Sequence, residues 1–447
     1  MNSRWNLRAR SVLRDHKKCF VRSETVASCA DLIPWYLELT QVSVPFFNGI
    51  YINFENWRIH NADFCISDEE LVEVFNEAPE IPFKYLHING IQSSCPGHCA
   101  AVKFIKKIVE TKGLKELNIT QSCALCYVYE PWRILFSRDA TLPFQIARLP
   151  EQIIGHSQAL LRRFVLACPN LIALDSYVTS ENVRYLDQRE YGIVRKLKID
   201  VSSFLDYANC QKFADSKAKL VGLIVENRTP VATMGRGGLL SWRSLERMLH
   251  SSIYSLRSLQ MTIPVLVKLV DLQVPPFPHV TQLTIDVGGY YEDRRALPLL
   301  RKFNFSYLFP KVTSVSVRSN RPTMLLEIDN NATEIRKDLT CNVKQIELQG
   351  PIFRITGYLV QIFPNITSVK LSNGCASLQS FRDMWRSWPK LEKVRIGKNL
   401  KLAPGTYDAA FCGLDQDEME ELQKRSTGFL KKVNLVPAYP AITHLSG

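Results

Sequence analysis

The sequence predicts an α/β solenoid of stacked strand-and-return units, and three observations lead there. An apolar triple recurs along the chain, an aromatic-proline string precedes several copies of it, and polar residues alternate with the apolar ones.

The triple occupies positions 1, 4 and 6 of a short segment. It begins at Phe47, Phe83, Leu114, Val194, Leu220, Leu256, Val280, Val312, Val343, Ile366 and Leu391, with a partial copy at Leu171-Leu174. Three apolar positions alone would recur by accident about a dozen times in a chain of this composition. The flanks give the pattern its meaning. Phe277-Pro278-His279-Val280, Phe309-Pro310-Lys311-Val312, Phe363-Pro364-Asn365-Ile366 and Trp388-Pro389-Lys390-Leu391 share one string, of which Cys168-Pro169-Asn170-Leu171 is a degenerate version. Proline cannot continue a helix and pushes the residue before it out of the helical region, so the string reads as a helix end followed by a strand.

In a strand, positions 4 and 6 face one way and positions 3, 5 and 7 the other. The alternates are mostly polar, which predicts a buried face and a wet face. Asn118, Lys196, Lys198, Gln260, Gln282, Thr284, Ser316, Arg318, Glu347, Lys370 and Arg395 are the outward residues chosen as the candidate binding surface. Between the strands, Ser67–Phe75, Val102–Val109 and Ser377–Trp385 carry helical periodicity. Twelve units span Phe47 to Leu391, and the longest step, from Leu114 to Leu171, predicts a hidden degenerate unit. Trp385 and Trp388 are assigned to the core of the last turns.

These units resemble the leucine-rich repeat. The resemblance implies a horseshoe solenoid with a concave parallel sheet, return helices, and a protein bound on the concave face. A second resemblance lies at the N-terminus. Ser3-Arg4-Trp5-Asn6-Leu7-Arg8-Ala9-Arg10-Ser11-Val12-Leu13 is similar to the last helix of an F-box, with Trp5, Ala9, Val12 and Leu13 on one helical face. The family's earlier box helices would precede Met1, so the match is to an N-terminally truncated box. Together the two resemblances imply a substrate receptor of a cullin-based ubiquitin ligase. Trp5, Ala9, Val12 and Leu13 would dock the adaptor and the repeats would hold the protein substrate. The other reading is a repeat scaffold with no ubiquitin role. The expected organisation is a partial F-box-like helix over 1–22, a connecting or capping segment over 23–46, and the solenoid over 47–447.

Composition narrows the function. Residues 1–22 hold seven cations against Asp15 alone, which is +6 of the chain's +13, and the rest is only mildly basic. A nucleic-acid-binding body is therefore not expected. No apolar run approaches the roughly 18–20 residues a spanning helix needs, so no membrane partner is expected. The 12 scattered cysteines suit reduced thiols in the cytoplasm or nucleus. Cys95, Cys99, Cys123 and Cys126, with His98, invite a zinc reading. Cys123 and Cys375 share one offset from their strand starts, which favours small buried residues, and no metal or cofactor is called for. The glycines around Met234-Gly235-Arg236-Gly237-Gly238 lack a phosphate-loop ending and read as a loop. No motif joins a histidine to a nucleophile, and no catalysis is expected.

Overall fold

A computed structural model describes residues 8–12, 17–23, 29–40, 47–53, 73, 83–91, 100–110, 113–122, 135–137, 140–150, 158–183, 186, 190–200, 204–216, 218–226, 236–271, 274–287, 304–319, 341–350, 359, 362–372, 374–377, 388–396 and 400–403. The chain divides into two units, Met1–Leu197 with Asp215–Ala218, and Lys198–Ala214 with Lys219–Gly447.

In the first unit, strands β1 (Phe20–Arg22), β2 (Gly49–Asn53), β3 (Tyr85–Ile91), β4 (Glu116–Ser122), β5 (Ile146–Arg148) and β6 (Ala173–Thr179) stand side by side in chain order, every pair parallel. Helices α1 (Cys29–Thr40), α2 (Ala100–Val109) and α3 (Gln158–Ala167) return the chain between them, and a short α4 (Ser180–Val183) follows β6. Helix α2 shows why these segments coil. Val102, Phe104, Ile105, Ile108 and Val109 are buried while Lys107 is exposed, so one stripe meets the core and the other meets water. Lys106 and Lys107 in its last turn complement the helix dipole.

The boundary between the units falls within β7 (Val194–Asp200), whose residues from Lys198 onward belong to the second unit. There β8 (Gly222–Glu226), β9 (Ser258–Thr262), β10 (Gln282–Val287), β11 (Ser314–Ser319), β12 (Gln345–Gln349) and β13 (Ser368–Ser372) pair parallel in chain order. After β14 (Gly374–Ser377) comes β15 (Lys393–Ile396), which pairs with β13, and β16 (Leu400–Ala403), which pairs with β14. Helices α5 (Phe204–Asp215), α6 (Arg236–Ser252), α7 (Ile263–Asp271) and the single turn α8 (Phe305–Leu308) lie between strands. Parallel strands in unbroken chain order, each followed by a return path, make this an α/β leucine-rich-repeat fold.

The apolar triple is the register of the sheet. Position 4 aligns Ile50, Leu86, Leu117, Ala147 and Leu174 in the first unit. In the second it aligns Leu223, Leu259, Leu283, Val315, Ile346, Val369 and Val394. All of these are buried, as is every position 1 residue named above.

The aromatic-proline string forms a tight turn. The position 1 amide donates to the carbonyl of the residue before the proline: Val280 to Phe277, Val312 to Phe309, Leu391 to Trp388, and Leu171 to Cys168 in the degenerate copy, at 2.9–3.4 Å. Proline's locked φ suits the second residue of such a turn. Just beyond, two successive amides share one carbonyl of the preceding strand. Lys344 and Gln345 donate to the Thr313 oxygen, Thr367 and Ser368 to that of Lys344, and Glu392 and Lys393 to that of Thr367. Inside, Phe47 stacks on Phe83 at 6.0 Å, and Phe277 stacks on Phe309.

Several expectations change. The hidden unit is β5, with Phe144, Ala147 and Leu149 buried at positions 1, 4 and 6. The sheet starts not at Phe47 but at β1, where Lys18 and Ser23 stand at two of the three apolar positions. Arg236, Gly237 and Gly238 open helix α6 rather than forming a loop, and Met234 and Gly235 lie outside the described residues. Ser377 ends strand β14 rather than starting a helix, and residues 378–387, including Trp385, lie outside the description. So do Ser67–Phe75 apart from Glu73, which is helical. Val102–Val109 is helical as expected, and Trp388 is fully buried.

Candidate functional site

The outward face of each unit is set by alternation, because every residue flanking a buried position 4 must point away from the core. In the second unit the register draws Gln260, Thr284, Ser316, Glu347, Lys370 and Arg395 into one row across β9, β10, β11, β12, β13 and β15. Six of the candidate residues thus form a single line at position 5. Gln282 is exposed at position 3 of β10, and Arg318 stands at position 7 of β11.

This row is cross-linked by polar contacts. The Lys370 ammonium reaches the Glu347 carboxylate at 2.8 Å, and the Ser372 hydroxyl donates to the same carboxylate at 2.9 Å. Burial pushes the Glu347 carboxyl up, and the Lys370 and Ser372 bonds outweigh it and bring it below its ordinary value. Gln260 donates to Asp286 at 2.6 Å, and Arg318 donates to the Gln260 oxygen at 3.5 Å. Burial pushes the Asp286 carboxyl above its ordinary value, helped by the nearby Glu226 charge and opposed by Gln260, Arg318 and Lys198. Beside it, the buried Thr262 hydroxyl and the Arg318 Nε have no hydrogen-bond partner among the described residues. Lys198 pairs with Glu226 at 3.1 Å.

In the first unit the corresponding row runs Arg22, Tyr51, His87, Asn118, Arg148. His87 shares a hydrogen bond with Thr120 at 3.0 Å, and Thr120, Asn89 and Asn53 continue the chain at 2.9 and 3.0 Å. Burial and the Arg148 charge hold the His87 imidazole below its ordinary value, so it faces this surface neutral. The Asn118 amide oxygen is buried and unpartnered among the described residues. Asp175 on β6 is held by Arg148 and by Lys196, the latter at 2.7 Å. Burial pushes its carboxyl up, but the hydrogen bonds and charges of these two cations prevail and bring it below the usual carboxylate range.

All eleven outward candidates therefore lie on β4, β7 and β9–β13 or β15, on the face away from the core. Selecting polar residues overlooked the aromatic outward residues of the first unit, Phe20, Tyr51, Tyr85 and His87, and the missing or partial triple at β5 and β6 hid Arg148 and Asp175. Applying the same alternation to β2 and β3 would have found Tyr51, Tyr85 and His87.

Residues 8–12 are helical, with Ala9 exposed and Val12 57% exposed. Trp5 and Leu13 lie outside the described residues, as do Cys95, His98, Cys99, Cys123 and Cys126. Among the described residues no three His, Cys, Asp or Glu side chains are grouped to hold a metal, and no helix is long and apolar enough to cross a membrane.

No family model matches the chain, and no curated protein matches it. Among solved structures it is similar to one titled "Crystal structure of Rad7 and Elc1 complex in yeast", with 16% identity and a TM-score of 0.35, over 69% of this chain and 77% of that one. The aligned strand register, independent of that distant likeness, makes the chain a leucine-rich-repeat fold.

Proposed function

We propose that this chain is a non-catalytic, protein-binding leucine-rich-repeat module acting in the cytoplasm or nucleus as the substrate receptor of a cullin-based ubiquitin ligase. The observation that carries the binding half is the cross-strand row from Gln260 to Arg395. It is a polar, partly exposed surface presented by successive strands at one register position. The adaptor half rests on the F-box resemblance and on the exposed Ala9 and Val12 of the N-terminal helical segment.

The test is affinity purification of the tagged chain from cells, with mass spectrometry, beside Val12→Asp and a chain lacking residues 1–16. The deletion stops there because the Lys17 and Cys19 carbonyls accept hydrogen bonds from Asn48 and Gly49 and anchor the sheet. Adaptor and cullin recovered with the full chain and lost with both variants is the expected result. Protein partners without adaptor would leave the chain an interaction scaffold with no ubiquitin role.

A further inference from the structure

The outward face of β1–β5 differs in chemistry from the polar row of the second unit. At position 3, Phe20, Gly49 and Tyr85 lie in register. Gly49 has no side chain, and the Phe20 ring lies across it: a Cβ there would meet Phe20 Cδ1 and Cε1 at 2.7 and 2.8 Å. The ring stands 6.2 Å from Tyr85 and 6.4 Å, edge-on, from His87, yet stays 37% exposed. Tyr51 meets His87 edge to face at 4.5 Å. The result is a half-exposed aromatic floor on a sheet, where a solvated face would ordinarily be polar.

Cations frame the floor. The Lys18 ammonium sits 4.8 Å from the Tyr85 ring centre and the Arg22 guanidinium 5.7 Å from that of Tyr51. Arg148 stands at position 5 of β5, bonded to Asp175 on β6. Among the described residues of this face and the adjoining β6, Lys18, Arg22 and Arg148 stand against Glu116 and Asp175. These residues leave the surface with a net positive charge. Between His87 and Arg148 lies Asn118, whose amide oxygen has no donor among the described residues.

Resting on the protein-binding reading, we propose that this face docks a short acidic peptide segment of the bound protein. One apolar side chain of the segment lies on the Phe20 ring, and carboxylates on either side meet Arg22 and Arg148. Rotation of the Asn118 amide would give its oxygen a peptide N–H. Single-stranded nucleic acid fits less well. Base stacking needs open aromatic faces, whereas Lys18 and Arg22 already cover those of Tyr85 and Tyr51.

The experiment selects a displayed random dodecapeptide library on the immobilised full chain, then measures the enriched peptides by fluorescence anisotropy. The variants are Arg22→Glu with Arg148→Glu, Phe20→Ala, and a charge-matched control, Lys311→Glu with Lys390→Glu, on exposed turns. Circular dichroism establishes that each is folded. The expected outcome is enrichment of Asp- and Glu-rich peptides with an apolar residue, bound about tenfold or more weakly by the first two variants and normally by the control. Neutral or basic peptides, peptides insensitive to Arg22, Arg148 and Phe20, displacement by an oligo-dT strand, or no enrichment would each overturn the inference. Peptides that bind elsewhere on the chain would do so while leaving the protein-binding reading intact.

Discussion

Phe277 and Phe309 lie face to face, ring centres 5.5 Å apart and planes 14° apart, although a whole repeat of chain separates them. Each stands before the proline of its turn, and each accepts the first strand amide through its carbonyl. The pair thus ties the end of one return path to the next inside the core.

Phe309→Ala should lower stability by about 3–5 kcal/mol, the usual cost of deleting a buried aromatic ring. Tyr307→Ala, two residues away but exposed, should stay within about 0.5 kcal/mol. Urea unfolding followed by circular dichroism measures both. Equal losses would mean that the aromatic stack contributes little.

Asp175 and Asp286 should respond to pH with opposite sign. The Asp175 carboxyl titrates below its unfolded value, so its contribution is present above about pH 4 and is lost as pH falls through the folded pKa. Asp286 titrates above its unfolded value, so native protein holds the extra proton and stability falls as pH rises through that folded pKa. At neutral pH, Asp175→Asn should destabilise and Asp286→Asn should be neutral or stabilising, with both differences shrinking in acid. Thermal midpoints across a pH series read this directly.

Cys168 and Cys341 are buried, and burial pushes both thiols above their ordinary values. Neither should react with iodoacetamide at about pH 8 while the protein is native, and both should react in urea. Peptide mass spectrometry would show it. Native alkylation of Cys168 would contradict its place beneath the turn to Leu171.

Gly113, just before the buried Leu114, has φ +104°, where a side chain is strained whatever the space around it. Gly113→Ala should cost about 1–3 kcal/mol, read as a shift in the urea midpoint. No comparable cost is expected at Gly192, where a Cβ would meet nothing within 4 Å.

Much of the fold was legible because one sequence signal and one physical constraint coincide. The apolar triple is periodic only if strands stack in register, and the register from Leu223 to Val394 is the triple itself. Where burial is met by a small or polar side chain, the signal fades. Ala147 hides β5. Ser176 fills position 6 of β6 by accepting the Leu149 amide at 2.6 Å. Ser23 at the sheet's edge accepts from Asn53. The second unit's outward row followed from alternation alone, and in the first unit the same rule reaches Tyr51, Tyr85 and His87, but the Phe20 ring was not legible, because only the bare Gly49 backbone shows where it lies.

The shared-carbonyl connection at the start of strands such as β12, β13 and β15 has a consequence for the gene. A codon gained on a return path only lengthens a loop, at small entropic cost, which accounts for steps of such unequal length. A codon gained between the turn and position 6 would turn the outward residues inward and the core outward. Natural insertions and deletions should therefore cluster on the return segments and avoid the few codons from each turn to position 6.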